Sequence, residues 1–269
     1  VLSLADGGVL ALSTPARAVL GPDLPLIDDA VTVEDLLAHR SGIGDYLDET
    51  LFDDIADFEL PVPAQRLSST SAYLDVLDGF PTVSAPGAVF SYNNGGYVVL
   101  ALIAERAAGT SFYDLVAQRV CAQAGLAATA FLRSDELPPD AAIGYLDPEG
   151  LRTNVFHLPV LGSGDGGLYT TVDDVARLWT ALLGGRILGS ALLEEMLRPR
   201  RHPDDDALEH GLGIWLHRDA PVLEMHGYDA GVSFRSVHHR ESGATATVIA
   251  STGGGAWPFY ELQDLVVRR

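Results

Sequence analysis

Lysine is missing from this sequence of 269 residues: all 17 basic residues are arginine. Taken alone, that absence reads as the arginine-codon preference of a GC-rich genome. The abundance of Ala, Gly and Val favours this over a halophilic composition. Cysteine occurs once, as Cys121, so no intrachain disulfide can form. That leaves the compartment open, with a lean towards the cytoplasm. No apolar run approaches the ~20 residues that cross a bilayer, so no membrane span is expected. The stretch from Val1 to Leu10 has no basic segment and no Ala-x-Ala-like cleavage site, and no signal peptide is read there. Positive charge is scarce: 37 acidic against 17 basic residues gives a formal net charge of −20. Such a field repels phosphate backbones and anionic membranes, which argues against a nucleic-acid partner. The acid is scattered, as at Asp53-Asp54 and Asp204-Asp205-Asp206, and forms no tail-like block.

What is present suits a folded chain. Hydrophobic residues make up 47% of it, enough for a sizeable core in one large domain or two small ones. Val1 to Ala5 reads as the tail of a helix stopped by Asp6-Gly7-Gly8. Thr32 with Asp35 is a helix start of the capping-box type, opening a helix over 33–39 that ends at Ser41-Gly42-Ile43-Gly44. Residues 50–80 are acidic and amphipathic and predict helix. Phe90 to Gly96 predicts a polar loop with aromatics, and Tyr97 to Ala108 a buried helix closed by Gly109. Further helices are predicted over Ser111 to Cys121, from a Thr171 cap to Leu183, and over Ser190 to Leu197. Residues 122–167 show few clear elements. Three strands are predicted, over 211–216, 231–238 and 244–251, followed by a closing helix from Tyr260 to Val267. Helices dominate the middle and strands gather near the end. The fold class is therefore α+β, an antiparallel sheet flanked by helices, with further strands needed to complete the sheet.

Several segments, taken in order, resemble the serine β-lactamases of the class C type and their D,D-peptidase and esterase relatives. Val31 to Tyr46 is similar to the family's T-v-x-x-L-L-x-H-x-S-G-l segment. Pro86-Gly87 with Phe90 to Tyr97 is similar to P-G-x-x-F-x-Y-S-N-x-G-Y. Gly166 to Thr171 with Asp173-Asp174 is similar to G-G-L-x-S-T-x-x-D, and His226-Gly227 stands where the family has Lys-Thr-Gly or His-x-Gly. The resemblance covers nearly the whole chain and implies one β-lactamase/D,D-peptidase-like domain over 1–269, incomplete at its N-terminal side. It implies catalytic roles for Tyr92, Asn94 and His226, and substrate-binding roles for Tyr46, Gly227 and Gly231. In that scheme the Tyr92 phenol relays a proton; a free phenol has a pKa of about 10, and a neighbouring ammonium would lower it. Asn94 orients a substrate amide and a lysine. His226 lines the groove, on a strand whose backbone N–H serves an oxyanion hole. Blander explanations exist for each: Tyr-Asn-Asn-Gly is ordinary turn composition, a histidine before a turn is often only a surface residue, and Tyr46 could simply anchor a loop. Tyr228 departs from the family's glycine and adds bulk beside the groove.

The missing lysine now acquires a chemical meaning. The family's nucleophile is a Ser-x-x-Lys motif at a helix start, where serine and lysine share one face and the amine takes the serine proton. This chain cannot contain it. The helix at Val1 to Ala5, which opens without a cap, is where the family places that motif, so the expectation is that it lies upstream. The implied activity is acyl transfer to water through an acyl-enzyme, on a small amide or ester, with no cofactor and no metal. The alternative is a non-catalytic remnant that binds a ligand or partner. Other chemistries find less support. There is no Gly-x-Ser-x-Gly elbow. Gly162 to Gly167 contains Gly-x-Gly-x-Gly without the strand and helix that dinucleotide binding requires. His202 with Asp204 to Asp206, and His238-His239, lack convincing metal-ligand spacing.

Overall fold

The computed structural model describes residues 1–147, 149, 152–200, 207–259 and 266. Its first part is helical: α1 (Leu2–Asp6), α2 (Ala16–Leu20), α3 (Val33–Leu37), α4 (Leu74–Leu77), α5 (Asn94–Ala108), α6 (Phe112–Val116) and α7 (Ala122–Ala124). A π turn, Ala117–Cys121, joins α6 to α7 without a break. Two short strands, β1 (Ala130–Phe131) and β2 (Leu168–Tyr169), pair antiparallel before α8 (Val172–Leu183) and α9 (Ser190–Met196). A five-stranded antiparallel sheet follows in simple chain order: β3 (Leu208–His210), β4 (Trp215–His217), β5 (Val222–Asp229), β6 (Val232–His239) and β7 (Thr245–Ala250). This is the expected α+β segregation.

The helix starts form where side chains satisfy the free N–H groups of the first turn. Thr32 Oγ1 accepts from the Asp35 amide while Asp35 accepts from the Thr32 amide, a complete capping box. Thr171 and Ser111 cap α8 and α6 by accepting from the Asp174 and Asp114 amides, without the reciprocal bond. Helix α5 is buried almost all round from Val98 to Ala104, as the central helix of the largest core cluster must be. Helix α8 is amphipathic instead. Val175 and Trp179 pack on Leu216 and Leu223 of the sheet, and the Trp179 indole donates to Ser236. Because side chains alternate along a strand, burying Leu216, Leu223 and Phe234 against α8 turns Trp215, Glu224, His226 and Arg235 to the opposite face.

Three expectations are corrected. Residues 50–80 are not an amphipathic helix but a chain of 3₁₀ turns, Glu49–Leu51, Ile55–Asp57, Ala64–Arg66 and Thr70–Tyr73, ending in α4. Asp48, Asp54 and Ser69 each draw a nearby backbone N–H to their own side chain, and Pro61 and Pro63 supply none, so a continuous ladder cannot propagate. Asn94 belongs to a helix, not to the preceding loop, because Asn93 caps α5. Among the described residues the sheet has five strands where the sequence predicts three: β3 is only three residues long, and β5 is broken in pattern by Glu224, His226 and Gly227. The closing helix expected from Tyr260 to Val267 lies outside the described residues apart from Val266, which is helical and buried. No helix among the described residues is long and apolar enough to cross a membrane.

Candidate active site

The start of α5 forms one wall. Asp45 accepts hydrogen bonds from the backbone N–H groups of Asn94 (2.7 Å) and Gly95 (2.8 Å), and Asn93 Oδ1 accepts from Gly96 (2.6 Å). A carboxylate at a helix N-terminus is favoured by the dipole there. The Asn94 side chain donates from Nδ2 to Leu47 O and to Glu49 Oε1, each at 3.2 Å. Just before the helix, the half-exposed Tyr92 ring lies 4.3 Å from the His39 ring. His39 is buried, and its Nδ1 accepts from the Asn93 amide at 3.1 Å. Burial, with His210 nearby, pushes its pKa well below the usual histidine range, so the ring is neutral.

Strand β5 forms the second wall. Glu224, His226 and Tyr228 alternate onto one face of it, and His226 stands opposite Arg235 of β6. The His226 ring stacks on Trp215 at 5.4 Å and 9° and meets the edge of Trp257 at 5.7 Å. Rings connect the two walls without a gap. Tyr92 touches His39, His39 lies 4.9 Å from His210, His210 lies 4.8 Å from Trp215, and Trp215 carries His226. A polar bridge makes a second connection: the Tyr228 hydroxyl donates to Glu49 Oε2 at 2.8 Å, while Glu49 Oε1 holds Asn94. The bulk that replaces the family's glycine thus lies across the groove.

A third group comes from the glycine-dense turn 162–167. A Cβ on Gly164 would sit 2.0 Å from Tyr97 O, so only glycine lets this turn press against α5. That approach delivers Asp165, which accepts from the Tyr46 hydroxyl. Burial, with Asp229 and Asp45 close by, raises the Asp165 carboxyl to about 7, and burial and Glu49 raise Asp229 to about 6. Tyr92 is pushed up to about 12 by burial and by Glu49, Asp165 and Asp45. An ammonium would have the opposite effect, but the charges acting on this phenol are all acidic.

The structure therefore brings Tyr92, Asn94 and His226 to facing walls and ties Tyr46 to Asp165. Gly227 pairs with Phe234 within β5 and β6, and a Cβ there would meet nothing within 4 Å. Gly231 turns the chain between the two strands at φ +74°, and a Cβ would sit 3.0 Å from Asn154 and from the Tyr145 amide. Asn154 Nδ2 supports this turn by donating to Ala230 O at 2.9 Å. His238 and His239 bond separately, to Thr245 and to Ser242, and do not converge. His202 and Asp204 to Asp206 lie outside the described residues. Sequence reasoning passed over Asp45, Glu49, Asp165, Trp215 and Glu224. The one available signal was Glu224, two residues before His226 on a strand and therefore on its face.

The family model described as Beta-lactamase matches residues 1–257. The chain belongs to the beta-lactamase family. A structure of a penicillin binding protein from Bacillus halodurans superposes with a TM-score of 0.91 at 32% identity, covering 98% of this chain and 81% of that one. The putative penicillin-binding protein PbpX of Bacillus subtilis (strain 168) is 27% identical over 258 residues, 93% of this chain and 58% of that protein. A D-aminopeptidase of Brucella ovis (strain ATCC 25840 / 63/290 / NCTC 10512) is 28% identical over 195 residues, 70% of this chain and 35% of that protein. The chain thus spans less than two thirds of the length of these curated relatives.

Proposed function

We propose that this beta-lactamase-family chain supplies two walls of a serine acyl-transfer hydrolase site that works on a small amide or ester through an acyl-enzyme. Tyr92 relays a proton, Asn94 orients the substrate, His226 lines the groove, and Tyr46, Gly227 and Gly231 shape its binding surface. One observation carries the reading: Tyr92 and His226, 134 residues apart by number, are joined through His39, His210 and Trp215 into one continuous run of ring contacts. The reading requires a Ser-x-x-Lys motif from outside residues 1–269, within one β-lactamase-like domain. It also explains the acid. Burial and the charges of Glu49, Asp165 and Asp45 raise the Tyr92 phenol, and a lysine ammonium among these acids would lower it and neutralise part of their charge.

The same lining bears on substrate. A β-lactam or a D-Ala-D-Ala-type peptide brings a carboxylate, which these acids repel; an ester, or an amide with a free amine, brings none or brings the complementary charge. A D-aminopeptidase among the relatives is in keeping with this preference. The test uses the protein with the sequence encoded ahead of Val1. Labelling by a fluorophosphonate, with D-amino-acid amide hydrolysis faster than that of a β-lactam, is the expected result. A folded protein that no acylating probe labels would refute the reading. The second reading, a binding domain without catalysis, is favoured by the Glu49 bridge, which occupies the Asn94 amide and is itself bonded by Tyr228. An in-frame Ser-x-x-Lys upstream would rule it out.

A further inference from the structure

We infer that Glu224 is a positioning residue for His226, fixing the ring with its Nδ1 proton directed at the carboxylate and leaving Nε2 as the only nitrogen able to accept or pass a proton at the groove. The inference rests on the functional reading for its catalytic meaning, but not for its geometry.

Glu224 is 2% exposed and lies on the face of β5 shared with His226. Among the described residues, three side chains from three strands bond to it. Arg235 of β6 donates from Nε to Oε1 at 2.8 Å and from Nη2 to Oε2 at 3.1 Å. His217 of β4 reaches Oε2 through Nε2 at 2.9 Å. His226 reaches Oε1 through Nδ1 at 2.9 Å. Among these contacts only the carboxylate accepts. An ionised carboxylate has no proton to give, so the imidazole nitrogen facing it must carry one. A neutral imidazole has a single N–H, and placing it at Nδ1 leaves Nε2 with a free lone pair. The carboxylate is kept ionised here: despite burial, the donors from His217, His226 and Arg235 hold Glu224 well below the ordinary carboxylate range. The parallel Trp215 ring and the Trp257 edge restrict rotation of the imidazole, so the tautomer and the ring orientation are set together. Asp165 and Asp229 hydrogen-bond instead to the Tyr46 hydroxyl and the Ala230 amide.

The imidazole itself provides the test. In the ¹⁵N-labelled chain, long-range proton–nitrogen correlations show which ring nitrogen of each histidine bears a proton, and the signal lost in H226N belongs to His226. The expected result is a neutral ring protonated at Nδ1 and bare at Nε2. In E224Q, which keeps the shape and removes the charge, the Nε2–H form is expected to appear. A wild-type ring protonated at Nε2 and bare at Nδ1 would overturn the inference, even if E224Q fails to fold. This readout needs no substrate, so it is independent of whether acylation occurs. Where acylation does occur, E224Q is expected to lower its rate at least about tenfold with little change in KM. An unchanged rate and pH profile in a folded E224Q protein would equally overturn the inference.

Discussion

Two sets of carboxylates flank the same groove, and their protonation is driven in opposite directions. Glu224 is the more buried, yet it is held below the usual range, because an arginine and two histidines from β4, β5 and β6 donate to it. Asp165 and Asp229 are raised to about 7 and about 6, because burial outweighs the Tyr46 hydroxyl and one backbone amide at Asp165 and the single Ala230 amide at Asp229, and the surrounding charges are acidic. The difference teaches that burial by itself does not set the charge of a carboxyl group. What matters is whether the elements packed around it bring donors and cations or only more acid. The wall around Glu224 on β5 is electrostatically complete, while the side where Asp165 is pressed against α5 near Asp45 has an excess of negative charge.

The largest expected effect breaks the complete wall. Glu224→Ala removes the buried carboxylate on which Arg235, His217 and His226 converge and is expected to cost about 3–5 kcal/mol at pH 7, read from chemical unfolding. The folded-state pKa of Glu224 lies below the unfolded value. Its contribution is therefore full above about pH 4 and is lost as pH falls towards the depressed folded value, so the gap between wild type and variant should narrow in acid. The second prediction acts on the other wall and has the opposite sign. The folded pKa of Asp165 lies above the unfolded one. Its unfavourable contribution is absent below about pH 4, grows as pH rises, and is complete above about 7. Asp165→Asn can still accept from Tyr46. It is expected to stabilise the protein by about 2 kcal/mol at pH 8, after discounting for partial exposure, and by almost nothing at pH 4. Equal effects at both pH values would remove the contrast between the walls. The smallest effect concerns the bridge between them. A double-mutant cycle of Tyr228→Phe and Glu49→Gln is expected to show a coupling of at most about 1 kcal/mol, since the bonded groups are exposed to water.

Much of the helical part could be read from local chemistry. The Thr32 capping box, the Ser111 and Thr171 caps and the Gly109 stop all depend on residues within a few positions of one another. The region 50–80 departs from the expected helix for the complementary reason. Its apolar spacing suggested helix, but short-range capture of backbone N–H groups by Asp48, Asp54 and Ser69 won over the ladder. At the candidate site, Tyr92, Asn94 and His226 can be named from sequence because they sit in recognisable segments. Asp165, Glu49 and Trp215 cannot. Asp165 looks like one more acid in a glycine-rich turn until Gly164 presses that turn against α5, and Glu49 opens the 3₁₀ turn that borders the stretch 50–80.

By itself the sequence determined the family, the α+β segregation, the acidic surface and the exclusion of Ser-x-x-Lys from residues 1–269. These follow from composition and from motifs whose residues are close in sequence. Only the tertiary structure decided which carboxylates are paired and which are crowded, and how the two walls are joined. Charge state and contact depend on distances of a few ångströms between strands and loops far apart in the chain, and a pattern of residue types along one dimension does not contain those distances.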